Sequence, residues 1–302
     1  MSSTPNRYAE DWNGYSAEWQ ESYGSRYGHL GDEWCDDGTP ERQRERRMFA
    51  HLVEPWLGKG LRVLEIGPGG GKWTMQIAPR VRELVVFDVA QAMIERTRAR
   101  AEAAGLANVS FTLGNGRDLA PLETGQFDLV FSYDVFVHIA PEDTFAYVSE
   151  ISRLLRPGGM VILHHAVNDV APAWDRIESH NDWYRHEANT RGQYYYYGHD
   201  ALDRLYSRFG LSIESRYTDY CTTVVLARKS ADSVAAQLEH ALRQAATAGD
   251  EAALRQAAEA IAGVARDVAD RVTWLTPALV NSRTGSERFG VIQQIRRAFG
   301  RC

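Results

Sequence analysis

Lysine is nearly missing from this chain: Lys59, Lys72 and Lys229 are its only three, and arginine carries the remaining basic charge. The pattern fits the codon bias of a GC-rich genome better than a phosphate-binding surface. A basic surplus is missing as well. Against 34 Lys and Arg stand 40 Asp and Glu, a formal net charge of −6, which argues against a general nucleic-acid binder. Cysteine is scarce and odd in number. Cys35, Cys221 and Cys302 lie far apart, so neither a disulfide framework nor a zinc ribbon is available. No apolar run approaches the roughly 20 residues that cross a bilayer, and the opening MSSTPNRYAEDW lacks a signal-peptide core. These absences lead us to expect a soluble, cytoplasmic protein. What is present is ample core material, with 44% hydrophobic and 11% aromatic positions among 302 residues. That is enough for one large domain with additions, or for two.

Three zones differ in pattern. Residues 1–60 read as an N-terminal helical cap, with Trp12, Tyr15, Trp19 and Tyr23 at helical spacings. A second helix is expected from Thr39-Pro40, with Met48, Phe49, Leu52, Val53 and Trp56 as its buried stripe. Residues 61–229 alternate short apolar runs with helices. LRVLEIG, ELVVFDV, NVSFTLG, FDLVFSYD and GGMVILHH read as strands apolar on both faces. The stretch AQAMIERTRARAEAAG puts Met93, Ile94, Thr97 and Ala101 on one helical face. Repeated βα units of this kind predict an α/β fold, a mostly parallel seven-stranded Rossmann-like sheet with helices on both faces. LSIESRY and TTVVLARK close the zone as an expected edge hairpin. Residues 230–302 are Ala-rich and read as a helical appendage, its hairpin turning at Ala248-Gly249-Asp250.

The first strand runs into Glu65-Ile66-Gly67-Pro68-Gly69-Gly70-Gly71-Lys72-Trp73-Thr74. A glycine turn between strand and helix lets backbone approach a ligand closely. The dinucleotide fingerprint needs a third glycine where Lys72 stands. A phosphate-cradling loop needs Gly at 66 and Ser or Thr at 73, where Ile66 and Trp73 stand. The pattern present is E-x-G-x-G-x-G, and with it residues 61–229 resemble a class I S-adenosylmethionine-dependent methyltransferase.

That resemblance implies S-adenosylmethionine as cofactor and assigns roles. Glu65, Gly67 and Gly69 match the loop that wraps the cofactor's methionine part. Asp88, 21 residues after Gly67, matches the strand-end acid that accepts both ribose hydroxyls. Gly114-Asn115-Gly116 follows the third strand, and the family usually has an acidic residue where Asn115 stands. The Asn115 amide oxygen can still accept from the adenine amino group. Ser132, Tyr133 and Asp134 end the fourth strand, beside the expected place of the sulfonium, and LLRPGGM turns the chain into the fifth.

For a hydroxyl acceptor the chemistry needs a base, and histidine is the usual one. Sugar and natural-product O-methyltransferases of this class often carry a catalytic His where His138 stands, while in many other members a His there only supports the cofactor pocket. His164 and His165 end the fifth strand on opposite faces. His165, nearer the loop, is expected as orienter or second base. Asp134, His138, His165 and Asp169 lack the carboxylate pair a hard divalent ion prefers, so no metal is expected.

Between strands five and six, residues 167–200 read as a roof over the acceptor, with Trp174, Trp183 and the run Tyr194 to Tyr197. Aromatic faces with polar tips suit a glycan or hydroxylated small molecule. The stretch around His29, Asp32, Glu33 and Trp34 is a candidate second lid. The expected activity is O-methylation with His138 as general base. The alternatives are N- or C-methylation of a small molecule, or a cofactor-binding non-catalytic subunit. Expected partners are a small-molecule or glycan acceptor and another copy of the chain through residues 231–302, with no nucleic acid and no membrane span. Nucleic-acid methylation is disfavoured further because SYDVF stands where an N/D-P-P-Y/F/W sequence is usual.

Overall fold

The structure, a computed structural model, describes residues 7–34, 40–187 and 193–230; the expected C-terminal hairpin lies outside them. Among the described residues no helix is long and apolar enough to cross a membrane.

The apolar runs form the expected sheet. β1 (Arg62–Ile66), β2 (Glu83–Asp88), β3 (Val109–Leu113), β4 (Phe127–Ser132) and β5 (Leu155–Val167) are parallel neighbours in the order β3-β2-β1-β4-β5. The two-residue β6 (Tyr196–Tyr197) pairs with Ala166 and Val167. It continues the ladder after β4 has ended, and so anchors the tyrosine run to the carboxyl edge of the sheet. β7 (Leu211–Asp219) and β8 (Thr222–Lys229) form the expected hairpin, with β8 inserted antiparallel between β5 and β7. With β6 the strands number eight, one more than expected.

Strand alternation divides the core in two. Leu64, Ile66, Val85, Phe87, Val130 and Val161 face one helical layer; Val63, Leu84, Val86, Leu129, Phe131 and Ile162 face the other. Helix α4 (Gln91–Ala103) buries the four residues its spacing predicts, Met93, Ile94, Thr97 and Ala101. Helix α5 (Pro141–Leu154) opens on a proline, which lacks only an N–H that a first turn leaves unpaired anyway. Of the stripe expected from Met48 to Trp56, Met48, Phe49 and Val53 are buried. The helix α2 (Pro40–Met48) widens into a π turn over Phe49–Val53 and then tightens, leaving Trp56 37% exposed.

Helix α1 (Arg7–Ser22) lies along α4. Asn13 Oδ1 accepts from the Ala92 amide at 2.9 Å, satisfying a first-turn donor of α4 from outside that helix. The Arg96 guanidinium donates to Ser16 and lies over the ring of Trp19, which is 1% exposed. At its other end the Tyr8 hydroxyl donates to Asp143 at 2.6 Å and accepts from the Ala140 amide. The helix thus spans the carboxyl edge of the sheet from α4 to α5. The chain then returns across the glycine turn so closely that a Cβ on Gly70 would stand 2.0 Å from the Leu30 carbonyl oxygen. Replacing Gly70 by Ala is therefore expected to lift residues 28–32 off the turn. Urea unfolding should show a loss of about 1–3 kcal/mol, the usual cost of overpacking, and protease cleavage near Gly28 should quicken. Unchanged stability and cleavage would show that this contact does not hold the segment.

Candidate active site

Beneath α1, at the carboxyl ends of β1, β2, β4 and β5, lies one cavity of about 1030 Å³. This is the expected ligand crevice of an open α/β sheet. Gly67 and Gly69 border it with φ of 71° and 58°, in the left-handed region that favours glycine. Gly67 has a second reason to be glycine, since a Cβ there would meet Val135 Cγ2 at 2.2 Å. Asp88 borders the cavity from the end of β2, its Oδ1 accepting from the Ala90 amide at 2.8 Å. Burial pushes its carboxyl up to about 7 against the pull of the Ala90 and Val89 amides.

Glu65 is placed differently. It is buried behind the turn and does not border the cavity. Its Oε2 accepts from the Thr74 hydroxyl at 2.6 Å, while Oε1 is buried without a partner. Burial raises it to about 7, with Thr74 lowering it and Asp88 raising it further.

Ser132 and Asn115 are not brought to the cavity. The Ser132 hydroxyl is buried and donates to the Ile66 carbonyl at 2.7 Å, tying β4 to β1. Asn115 is exposed. Its Oδ1 accepts from the amides of Arg117 and Asp118, so the side chain closes its own turn. Gly116 follows with φ 73° and is likewise outside the cavity.

Asp134 does border the cavity, with φ 58°, an uncommon conformation for a residue other than glycine. Its Oδ1 lies 2.8 Å from His164 Nδ1. Burial alone would raise its carboxyl, but the bond to His164 and the charge of Lys72 outweigh this and hold it below the ordinary value.

The two strand-end histidines exchange their expected places. His164 borders the cavity, whereas His165 is buried in the core with Nε2 2.8 Å from the Tyr206 hydroxyl and Nδ1 unpartnered. Alternation was read correctly, but nearness to the loop did not identify the inward face. Register supplies the signal that was missed: Leu163 pairs with Ser132, so His164 stands beside Tyr133 and stacks on it at 4.2 Å.

His138 borders the cavity, nearly buried. Its Nδ1 lies 3.0 Å from the Gln193 carbonyl, so Nδ1 carries the proton and Nε2 keeps its lone pair. Burial pulls it down to about 4, against the raising effects of the Gln193 carbonyl and Asp134. The rings of Trp12 and Tyr194 meet it edge-on at 5.4 and 5.1 Å. The roof contributes Arg176, Ser179, His180 and Tyr194, with the Arg176 guanidinium 4.2 Å over the Tyr194 ring. Of the proposed second lid, Leu30 and Gly31 border the cavity, while Asp32 pairs with Arg100 and Glu33 with Tyr15. Asp169 is held by His199 instead of joining Asp134. Sequence reasoning missed the part-buried pair Lys72–Glu45, 2.7 Å, and the pair Arg44–Asp219, 2.9 Å, both on the cavity wall. Neither pair carries a local signal, because each joins distant segments.

Residues 63–159 match the family model for a methyltransferase domain. Nodulation protein S of Rhizobium tropici is 28% identical over 148 residues, covering 48% of this chain and 60% of that protein. A ubiquinone biosynthesis O-methyltransferase of Cereibacter sphaeroides is 35% identical over 111 residues, covering 37% and 43%. The chain thus spans less than two thirds of the length of these curated relatives. Among solved structures, the N-methyltransferase NodS of Bradyrhizobium japonicum, in complex with S-adenosyl-L-homocysteine, superposes with a TM-score of 0.52 at 18% identity, covering 74% of this chain and 99% of that one. Residues 63–159 thus carry a methyltransferase domain, and the sheet built around them is similar to that of solved methyltransferases.

Proposed function

We propose that the protein transfers a methyl group from S-adenosylmethionine to a hydroxyl of a sugar, glycan or natural-product small molecule. The carrying observation is continuity: a single cavity runs from the glycine turn and Asp88 to His138 under the tyrosine roof. The residues present suit the cofactor. Gly67 and Gly69 would leave room for its methionine part, and Asp88 would accept the ribose hydroxyls. When bound, S-adenosylmethionine supplies a methyl group on a sulfonium, open to in-line displacement.

The protein's own part is to orient the acceptor, exclude water and take a proton. His138 presents an unprotonated Nε2, and its depressed affinity for protons keeps it neutral at physiological pH. The aromatic wall of Trp12, Tyr133 and Tyr194 suits the C–H faces of a ring acceptor. A second reading, an amine acceptor, is favoured by the charge of the wall. Five carboxylates border the cavity against three arginine or lysine side chains among the described residues.

Labelled methyl transfer decides between them. The purified protein, given methyl-labelled S-adenosylmethionine and fractions of host glycans and metabolites, should yield a labelled hydroxylated product with matching S-adenosylhomocysteine release. His138→Ala should then lower turnover by about 10²-fold, within the usual range for assisted proton transfer. A variant that keeps its full rate on a labelled amine would establish the second reading instead.

Asp88 gives a test that needs no acceptor. A protonated carboxyl spends one oxygen as a donor and so cannot accept a ribose hydroxyl on each oxygen, and burial pushes Asp88 up to about 7. Affinity for S-adenosylhomocysteine should therefore be full above pH 7 and fall as pH drops below it, by up to about tenfold per unit, with proton release on binding. Titration calorimetry across pH 5.5 to 8.5 on the order of half-unit steps measures both. Asp88→Asn should weaken binding at pH 8 by about 1.5–3 kcal/mol, the range for a hydrogen bond to a charged group. A flat profile with wild-type affinity in the variant would remove Asp88 from the cofactor site.

A further inference from the structure

The histidine expected to be second base is buried in the core, yet its neighbour on β5 forms an arrangement that the reading above does not use. Asp134 and His164 stand together at the carboxyl ends of β4 and β5, 2.8 Å apart, on the wall of the cavity. Three observations set this pair apart from a structural contact.

The first is the direction of the bond. An imidazole nitrogen 2.8 Å from a carboxylate oxygen must carry the proton, because two lone pairs repel at that distance. The Asp134 amide also approaches Nδ1, but at 3.3 Å, and with the proton on Nδ1 this is a side contact only. Nε2 is then the bare, basic nitrogen. Every hydrogen bond or ion pair given for His164 runs through Nδ1.

The second is the placement of the aspartate. Its φ of 58° is one of two positive values among described residues other than glycine. Strain of this kind persists where the surroundings enforce it, and it collects at functional sites. Here it turns the carboxylate toward His164, with half of its side chain (52%) still open to the cavity, while His164 itself is only 5% open.

The third is rigidity. The His164 ring lies flat on Tyr133, with centroids 4.2 Å apart and planes within 10°. Tyr133 in turn meets Trp73 edge-on. The ring cannot rotate away from Asp134 without breaking that stack. An imidazole that has one nitrogen fixed by a carboxylate and that lines a reaction space matches the orienter-and-base arrangement enzymes reuse on unrelated folds.

We propose that His164, oriented by Asp134, takes the acceptor's proton in place of His138, which instead walls the roof side of the pocket. This rests on the hydroxyl-acceptor reading. In the step, the acceptor oxygen forms its bond to the methyl carbon as the carbon–sulfur bond breaks. The electron pair of that bond stays on sulfur. The hydroxyl proton passes to His164 Nε2, and the imidazolium so formed is held beside the Asp134 carboxylate until it returns the proton to water. The two histidines then differ in kind. His138 is buried against a neutral carbonyl and two aromatic edges, whereas His164 has an anion as its partner.

The test is made on the full chain saturated with S-adenosylhomocysteine and labelled with ¹⁵N-histidine, His164 being assigned from the signal lost in H164Q. The expected spectrum shows the Nδ1–H tautomer with a far-downfield proton, and D134N loses that proton. On whichever acceptor is labelled in the transfer assay, H164Q should lower kcat by about 10²–10⁴-fold with little change in KM. Free imidazole should restore part of the rate to H164A, which repair of a merely structural defect would not do. An Nε2–H tautomer at His164, or full turnover in H164Q, overturns the proposal. If no acceptor is labelled, the methyltransferase reading fails, while the tautomer still decides whether the pair is built to accept a proton.

Discussion

A Cβ on Gly67 would stand 2.2 Å from Val135, and one on Gly70 would stand 2.0 Å from the carbonyl of Leu30. These two close approaches join the turn after β1 to the loop after β4 on one side and to the N-terminal segment on the other. The turn is also held from behind. The Gly67 amide donates to Phe87 O, Thr97 donates to Gly69 O, and the Arg100 guanidinium donates to Gly70 O. Its shape is therefore set by protein groups before any ligand arrives, the condition for a precise site. Asp88, Asp134 and the covering helix α1 meet around one cavity because this turn is small enough to let them.

Three carboxylates near that turn show how environment separates groups of one chemical type. Glu65 and Asp88 are buried among apolar strands, with few donors to offset the lost hydration, and both rise to about 7. Asp134 loses hydration too, but His164 bonds to it and Lys72 adds positive field, so its proton is held more weakly than usual. Asp88 sits where incoming hydroxyl groups can supply the missing donors, whereas Glu65 lies behind the turn and off the cavity. The third has its partner already and stays charged whether or not a ligand is present.

Most of the architecture was legible because it rests on short-range pattern. The strand runs, the buried face of α4, the proline start of α5 and the β7–β8 hairpin are each decided by residues within a turn or a pleat of one another. The glycine turn was legible for the same reason, since its positive φ angles favour glycine. What was not legible depends on distant partners. Choosing between His164 and His165 requires the register of β5 against β4, and that register shifts between Phe127 and Leu129, so counting along one strand cannot supply it. Asn115 was read as a ligand contact because its family position is one. In the fold its oxygen is taken by Arg117 and Asp118, which a four-residue turn makes nearer than any ligand. Ser132 was placed on the right strand but turned toward Ile66. The pair Lys72–Glu45 was invisible because its members are 27 residues apart.

His138 sits where the two covers of the cavity meet. From below, α1 brings Trp12 against its ring; from above, the roof brings Tyr194 against the other side and the Gln193 carbonyl to Nδ1. The roof strand is itself tied down beside it, the Tyr195 amide donating to Val137 O. Its low proton affinity comes first from burial, and that burial exists only while both covers are closed. Opening either one would expose the ring and return it toward the ordinary value for histidine, so its charge state is coupled to closure of the site. His164 differs in this respect. Its partner Asp134 and its stacking neighbour Tyr133 belong to the β4 end of the sheet and not to a cover. The two imidazoles are thus held by different parts of the fold, one by the covers and one by the sheet.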